Sequence, residues 1–411
     1  MNTNRKLQVA VIGGGASGMM AALAAAEQGA NVILMERQAR LGRKLAATGN
    51  GRCNLSNRNA APGHYHGENS AFCVPALERE SVKNSLERFR DMGLLTTEEA
   101  DGRIYPLSDY AGSVVDVLRF SLDEAGVSVR CGCIVEQLKK TQDGFSLQVD
   151  GKIIPTERVI VACGGKAGGR LGGVPDGYRL LENCGHRCTK LYPALVQLKT
   201  EGNLTRGLKG VRTQASVQVL WKGNVVAEER GEVQFTEYGL SGPAIFSVSR
   251  EAVQREDSIV AIDLFPDLSA EELHALLQHR RETRPRLSME DLFTGMLQNR
   301  LGRVLVSSAG VSGSLLLCEA GGHLWNLTNR AKRFSFRVIG DLGFDQAQVT
   351  AGGIRTDEFD PNSLESRLCP GLFACGEVLD IDGDCGGYNL QWAWSSGRIA
   401  GTHAGQGSPA C

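Results

Sequence analysis

"VAVIGGGASGMMAALAAAEQGANVILME", residues 9–36, decides how this chain folds. The apolar run "LQVAVI" at 7–12 predicts a buried strand that enters a glycine turn. From Ser17 to Gln28 the Ala-, Leu- and Met-rich pattern predicts a helix stopped by Gly29, and "NVILMER" predicts the next strand. Strand, helix and strand in this order make a β-α-β unit and imply a parallel sheet. Gly13, Gly15 and Gly18 stand inside it at G-x-G-x-x-G spacing. Gly13 permits the tight turn, Gly15 lets a pyrophosphate reach the backbone, and Gly18 lets helix and strand pack closely. The first helical amides, around Ala16 and Ser17, then face the phosphates. Glu36 ends the second strand, where a carboxylate accepts both hydroxyls of an adenosine ribose. Arg37 follows it directly.

That fingerprint suits NAD and FAD equally; two later segments favour FAD. "ERVIVACGGKAGG" at 157–169 is a strand that runs into a turn at Cys163, Gly164 and Gly165. "GLFACGEVLDIDGDCGGYNLQWAWSSG" at 371–397 is another, with Gly376 and Glu377 at its bend. There an acid can accept from the ribityl hydroxyls of a flavin dinucleotide. A helix starting near Asn389, framed by Gly386, Gly387, Tyr388 and Leu390, aims its positive pole at the flavin pyrimidine. That pole stabilises the anion formed on reduction. Val135, in the strand-like "VSVRCGCIVEQLKK", completes the expected cofactor lining.

"LGRKLAATGNGRCNLSN" at 41–57 has no apolar period and cannot build a core. Placed just after Glu36, it is expected to run along the cofactor. Arg43 and Lys44 would lie near the adenosine and pyrophosphate. Gly49, Gly51, Arg52, Cys53 and Asn54 would pass beside the flavin, with Arg52 and Asn54 as donors. Cys53 has no second thiol at C-x4-C spacing, which argues against dithiol chemistry. It is a lone thiol beside the flavin or a small packing residue.

The chain has 45 basic and 46 acidic residues, a balance that argues against nucleic acid or an anionic membrane as partner. The apolar stretch 9–26 is broken by four glycines, so no membrane insertion is expected. The start lacks a cleavable leader pattern and the 12 Cys are scattered, which suggests a reducing cytoplasm. Cys131/Cys133 and Cys184/His186/Cys188 lack a second pair of ligands, so no metal site is expected.

Residues 1–190 and 346–411 read as two parts of one α/β, doubly wound FAD-binding domain. From about 191 apolar and polar residues alternate between turns. Residues 191–268 and 311–345 are expected to form an inserted antiparallel β-barrel. Residues 269–310, opened by Ser269 as N-cap, are expected to be a helical subdomain.

"GRKLAATGNGRCNLSN", "DGRIYPLS", "FTEYGLSGPAI", "VTAGGI" and the 376–397 segment together resemble the bacterial BaiN-like or aminoacetone-oxidase-like NAD(P)/FAD-dependent oxidoreductases. The family's usual Gly-Gly-Gly-Arg-Cys-Asn run here has Asn50 as its second residue. The resemblance implies a glutathione-reductase-type FAD domain with a barrel-like and a helical insertion. It also implies reduction of small organic substrates, in some members the C=C bonds of oxidised bile acids.

Reducing such a bond takes a hydride from the flavin and a proton from an acid. Tyr388 and Tyr105 are the candidate acids, and Arg103 is a candidate holder of a substrate carbonyl or carboxylate. "LYPALVQL" and "YGLSGPAIF" are candidate walls of an apolar pocket. No second glycine fingerprint follows a strand, so NAD(P)H as donor would bind only transiently. An oxidase of a small amine and an RNA-modifying or non-catalytic flavoprotein remain alternatives. Substrate identity and oligomeric state are not legible.

Overall fold

The computed structural model describes residues 6–406. These form two compact units, one ending at Tyr192 and resuming at Gln348, the other spanning Pro193–Ala347.

The first unit is built on five parallel strands in the order Leu372–Ala374, Arg158–Val161, Gln8–Ile12, Asn31–Glu36, Ser128–Cys131. Val9, Ala10 and Val11 are fully buried, as expected for a central parallel strand covered on both faces. Residues Ser17–Ala25 of the helix Ala16–Glu27 are buried without a break. A helix apolar all round needs cover all round. The sheet supplies one side and the helix Tyr388–Gly405 another. Order along the sheet reverses at Gln8–Ile12, so the loops after it and after Arg158–Val161 open a crevice at the strand ends.

Smaller pieces complete this unit. Thr96–Glu98 and Arg103–Pro106 form a hairpin, where "DGRIYPLSD" reads from the sequence as a hairpin or loop, and Ser56–Asn57 extends it. Tyr65–His66 pairs with Asp382–Gly383 and so ties two distant loops together.

The second unit contains a closed antiparallel barrel of six strands: Leu198–Thr200, Gly239–Ser241, Asn224–Phe235, Arg212–Trp221, Ile259–Asp263 and Phe334–Asp341. Val217, Val233, Phe235, Ile262 and Phe334 fill it. Leu198, Leu240, Ala244 and Ile245 belong to that core. The sequence had offered them as pocket walls, but the apolar pattern reports burial and not what is buried against. Ser269 caps Ala270–Thr283 with a reciprocal capping box through Glu272. Helix continues past the expected limit at Gly310, with Leu324–Lys332 inside the span read as β-rich. Its buried Leu324, Leu327, Thr328 and Ala331 follow the i, i+3, i+4, i+7 spacing of a one-sided helix.

Candidate active site

Three turns meet at the crevice. A Cβ on Gly13, where φ is +108°, would overlap the Ala162 carbonyl, and one on Gly18 would overlap the carbonyl of Gly13. Those two glycines are needed by the protein itself. Gly15 differs: a Cβ there would meet no atom within 4 Å. The backbone is open at the helix start, where the amides of Ala16, Ser17 and Gly18 precede the first helical bond, from Met19 N to Gly15 O. The cradle a pyrophosphate needs is therefore present and lined by amides.

Glu36 accepts from the amides of Gly14 (2.7 Å) and Gln38 (2.6 Å). A carboxylate has about four acceptor positions, so two bonds leave capacity for a ribose diol. Arg37 pairs with Asp176 at 2.6 Å, and Arg43 donates to Gln38 at 2.6 Å. Val135, Asp176, Arg179, Leu180 and Asn183 line a recess of about 320 Å³. Cys133 N donates to Glu36 O, which places this recess beside the acid expected to accept from a ribose. Cys163 lies at the bend after Arg158–Val161, its thiol pushed up to about 12 by burial and then by Glu36. Gly164 has open space over it, whereas a Cβ on Gly165 would meet Thr350 Oγ1 and Glu377 Oε1.

The second end of the site gathers around Glu377. Its Oε2 pairs with Lys44 Nζ at 2.8 Å and its Oε1 accepts from Thr350 N at 2.8 Å. Lys44 thus lies at the acid expected to serve the ribityl chain, not at the adenosine. A Cβ on Gly376 would overlap Ser17 Oγ, so this turn sits against the first helix.

The 49–54 loop runs with positive φ at Gly49, Asn50, Gly51 and Cys53. For Asn50 (57°) and Cys53 (62°) that is backbone strain which the surroundings must hold. Arg52, expected as a donor to the cofactor, has part of its guanidinium engaged elsewhere. Its guanidinium pairs with Glu99 at 2.9 Å and with Asp109, and stacks 4.1 Å above the Tyr105 ring. The sequence could not show this, because both acids come from the distant 96–109 stretch, the hairpin and the turn after it. Asn54, expected as a donor, instead presents an acceptor: its Oδ1 is buried without a partner and faces Gly387. An orphaned buried acceptor costs about 1–3 kcal/mol, which an imide N–H of a flavin pyrimidine would recover.

The helix Tyr388–Gly405 starts at Gly387, whose φ is +99°. Gln391 N is the first to bond within it, to Gly387 O, leaving the amides of Tyr388, Asn389 and Leu390 at the open end. The Asn389 side chain is already used: it bonds Gly383 N and O at 2.8 and 2.7 Å. Asn57 holds Gly386 O at 2.9 Å. Arg103 Nε pairs with Asp101 at 3.0 Å, and a Cβ on Gly386 would lie 3.6 Å from it. Tyr105 is 5% exposed, and its hydroxyl is pushed up chiefly by burial and next by Glu99. Tyr388 is 7% exposed. Arg103, Tyr105, Gly386 and Tyr388 therefore share one corner, reached from two separate stretches of chain.

Three residues at this corner were missed as chemistry-bearing. His64 Nδ1 and His66 Nε2 meet the two oxygens of Asp384 at 2.9 and 2.7 Å. The only signal was a polar loop with two His at i, i+2, which names no partner. Elsewhere, His186 bonds Glu358 and Ser366, a structural role, and among the described residues no cluster suits a metal ion. No described helix is long and apolar enough to cross a membrane.

Cys53 is fully buried and its thiol is pushed up to about 12 by burial, partly offset by Thr48. A thiol titrating there stays neutral at physiological pH and is a poor nucleophile. Iodoacetamide at neutral pH should therefore modify the exposed Cys131 and Cys318 and spare Cys53. Peptide mapping that finds Cys53 alkylated as fast as Cys131 would refute the packing role.

Residues 7–403 match the family described as HI0933-like protein Rossmann domain. The chain belongs to this family of FAD-binding Rossmann proteins. A 3-dehydro-bile acid delta(4,6)-reductase of Clostridium scindens is 39% identical to it over 406 residues, 97% of this chain and 99% of that one. A ribosomal RNA dihydrouridine synthase of Escherichia coli is 31% identical over 391 residues, 94% of this chain and 95% of that one. Among solved structures, a 3-ketosteroid-delta4-(5alpha)-dehydrogenase of Rhodococcus jostii RHA1 aligns over 99% of both chains, at 16% identity and a TM-score of 0.49. The open Gly15 cradle, Glu36 and the orphaned Asn54 fit the dinucleotide that membership implies.

Proposed function

We propose that this FAD-dependent oxidoreductase works in the cytoplasm and saturates a C=C bond conjugated to a carbonyl. Its substrate is a small hydrophobic molecule such as an oxidised steroid or bile acid, and NAD(P)H is the donor. The observation that carries this reading is the 39% identity to the bile acid reductase over almost the full length of both chains. Bound FAD supplies the hydride. The chain's own residues do the rest. Ala16, Ser17, Gly18 and Glu36 hold the dinucleotide, with Arg37, Arg43, Val135 and the 163–165 turn around it. Lys44 fixes Glu377, and the amides of Tyr388, Asn389 and Leu390 with Asn54 bind the pyrimidine end. Arg103 would position the substrate carbonyl, with Tyr388 and Tyr105 beside it.

A second reading rests on the two ribosomal RNA dihydrouridine synthases, at 31% and 28% identity. Dihydrouridine is uridine with its conjugated C=C saturated, so the bond chemistry is the same and only the substrate class differs. The near-zero net charge favours the small molecule, because RNA binding draws on phosphate-neutralising Lys and Arg.

One experiment separates the readings. NADH or NADPH should bleach the bound flavin anaerobically, and a 3-oxo-Δ4 steroid should restore its colour. Restoration by ribosomal RNA alone moves the protein to the second reading, and by oxygen alone to an oxidase. A flavin that neither nicotinamide bleaches defeats NAD(P)H as donor.

A further inference from the structure

The corner that gathers Arg103, Gly386 and Tyr388 continues into a row of titratable groups. The His64 ring lies flat on the Tyr388 ring, with centroids 4.4 Å apart and planes 21° apart. Its Nδ1 is on Asp384 Oδ2, so Nε2 projects from the opposite edge of the ring. His66 takes the other oxygen of Asp384. The backbone holds all three: Asp384 N donates to His64 O at 3.0 Å, and Asp382 pairs with His66. Asn389, the second residue of the helix, clamps the Asp384 turn through its carbonyl. His64 thus touches Asp384 and Tyr388; His66 shares Asp384, and the Tyr65 hydroxyl donates to Tyr388 O. Arg103 lies across Gly386.

We propose that His64, oriented by Asp384, is the acid that protonates the reduced substrate. The proposal rests on the reductase reading above. Saturation places a hydride with its electron pair on the β-carbon of the enone, and the reduced nicotinamide is the ultimate reductant. The α-carbon then takes a proton as the Nε2–H bond of the His64 imidazolium breaks, leaving neutral imidazole. Solvent returns that proton, since the His64 and His66 side chains are 38% and 33% exposed. Tyr105, buried and with its hydroxyl pushed up, is a poorer donor at neutral pH. Asp384 is the positioning residue. Burial pushes its carboxyl up, yet the bonds from His66 and His64 hold it below the ordinary carboxylate range. A carboxylate on Nδ1–H fixes the ring orientation and leaves Nε2 as the nitrogen facing away from it.

The test uses the FAD-loaded enzyme, reduced anaerobically and mixed with 4-androstene-3,17-dione across the imidazole titration range. The wild-type rate of flavin reoxidation should fall as pH rises and the imidazolium is lost. His64→Gln should slow reoxidation by about 100- to 10 000-fold and abolish that alkaline limb. Asp384→Asn should lower kcat with KM little changed, and Asp384→Glu should restore part of the rate, a pattern that a merely structural role would not produce. If His64→Gln fails to fold, His64→Asn carries the same readout. A folded, flavin-bound His64 variant that keeps its rate within about threefold and the same limb overturns the proposal alone. A wild-type enzyme reoxidised by no enone overturns the reductase reading, and this proposal with it.

Discussion

Gly15→Val is expected to fold and to lose its flavin. Gly15 has an extended backbone, φ −82° and ψ −168°, which any residue adopts, and a Cβ there meets no protein atom within 4 Å. The apoprotein therefore has nothing to object to. The isopropyl group instead fills the space over the helix-start amides that a pyrophosphate must enter. FAD affinity should drop on the order of 100-fold, about 2.7 kcal/mol, while the thermal midpoint of the apoprotein stays put. Gly18→Ala is the contrast. Its Cβ overlaps the Gly13 carbonyl, so stability and cofactor should fall together. Flavin-to-protein ratio and apoprotein melting read the two effects separately. A Gly15→Val protein that retains FAD as tightly as wild type would remove the cradle from the argument.

Gly401→Leu should be severely destabilising. Glycine costs about 1 kcal/mol relative to alanine inside a helix, yet Tyr388–Gly405 has Gly397, Gly401 and Gly405 at four-residue spacing. Added Cβ atoms there would run into the backbone of Ser17, Ala21 and Ala25, which also stand four apart. The two helices cross backbone to backbone along these residues. A leucine at 401 would overlap the Ala21 carbonyl and come within 2.6 Å of Ala24 Cβ. The helices must part, at a cost of about 3 kcal/mol or more. For a unit of this size that is a fall of roughly 6–12 °C in melting temperature. Because both helix starts feed the cofactor site, flavin content should fall as well. A melting temperature within a degree or so of wild type would show that the crossing is not as tight as drawn.

Much of the fold was legible because its signals are local. Residues 9–36 announce strand, turn, helix and strand through apolar period and glycine spacing. The hairpin at 96–106 and the Ser269 cap are equally short-range. The expected helical boundary at Gly310 failed for the opposite reason. Without a cap residue, the four buried positions of 324–331 resemble any scattered apolar residues until the helix is seen. Arg52 shows how far a site reading reaches. Its chain position beside the cofactor loop was foreseeable, but its guanidinium is engaged by Glu99 and Asp109, from a stretch that only folding brings close.

By itself the sequence determined the dinucleotide fingerprint, the acid at 36, the return to the FAD domain near 346 and the lack of a second thiol at C-x4-C spacing from Cys53. Each depends on residue type and covalent spacing, which the chain states directly. Tertiary structure decided the partners: Lys44 with Glu377, 333 residues apart, and His64 with Asp384, 320 apart. No local pattern encodes such pairs. The first exists because a parallel sheet brings the ends of strands distant in sequence to one edge, the second because the antiparallel ladder of Tyr65–His66 with Asp382–Gly383 ties two loops together.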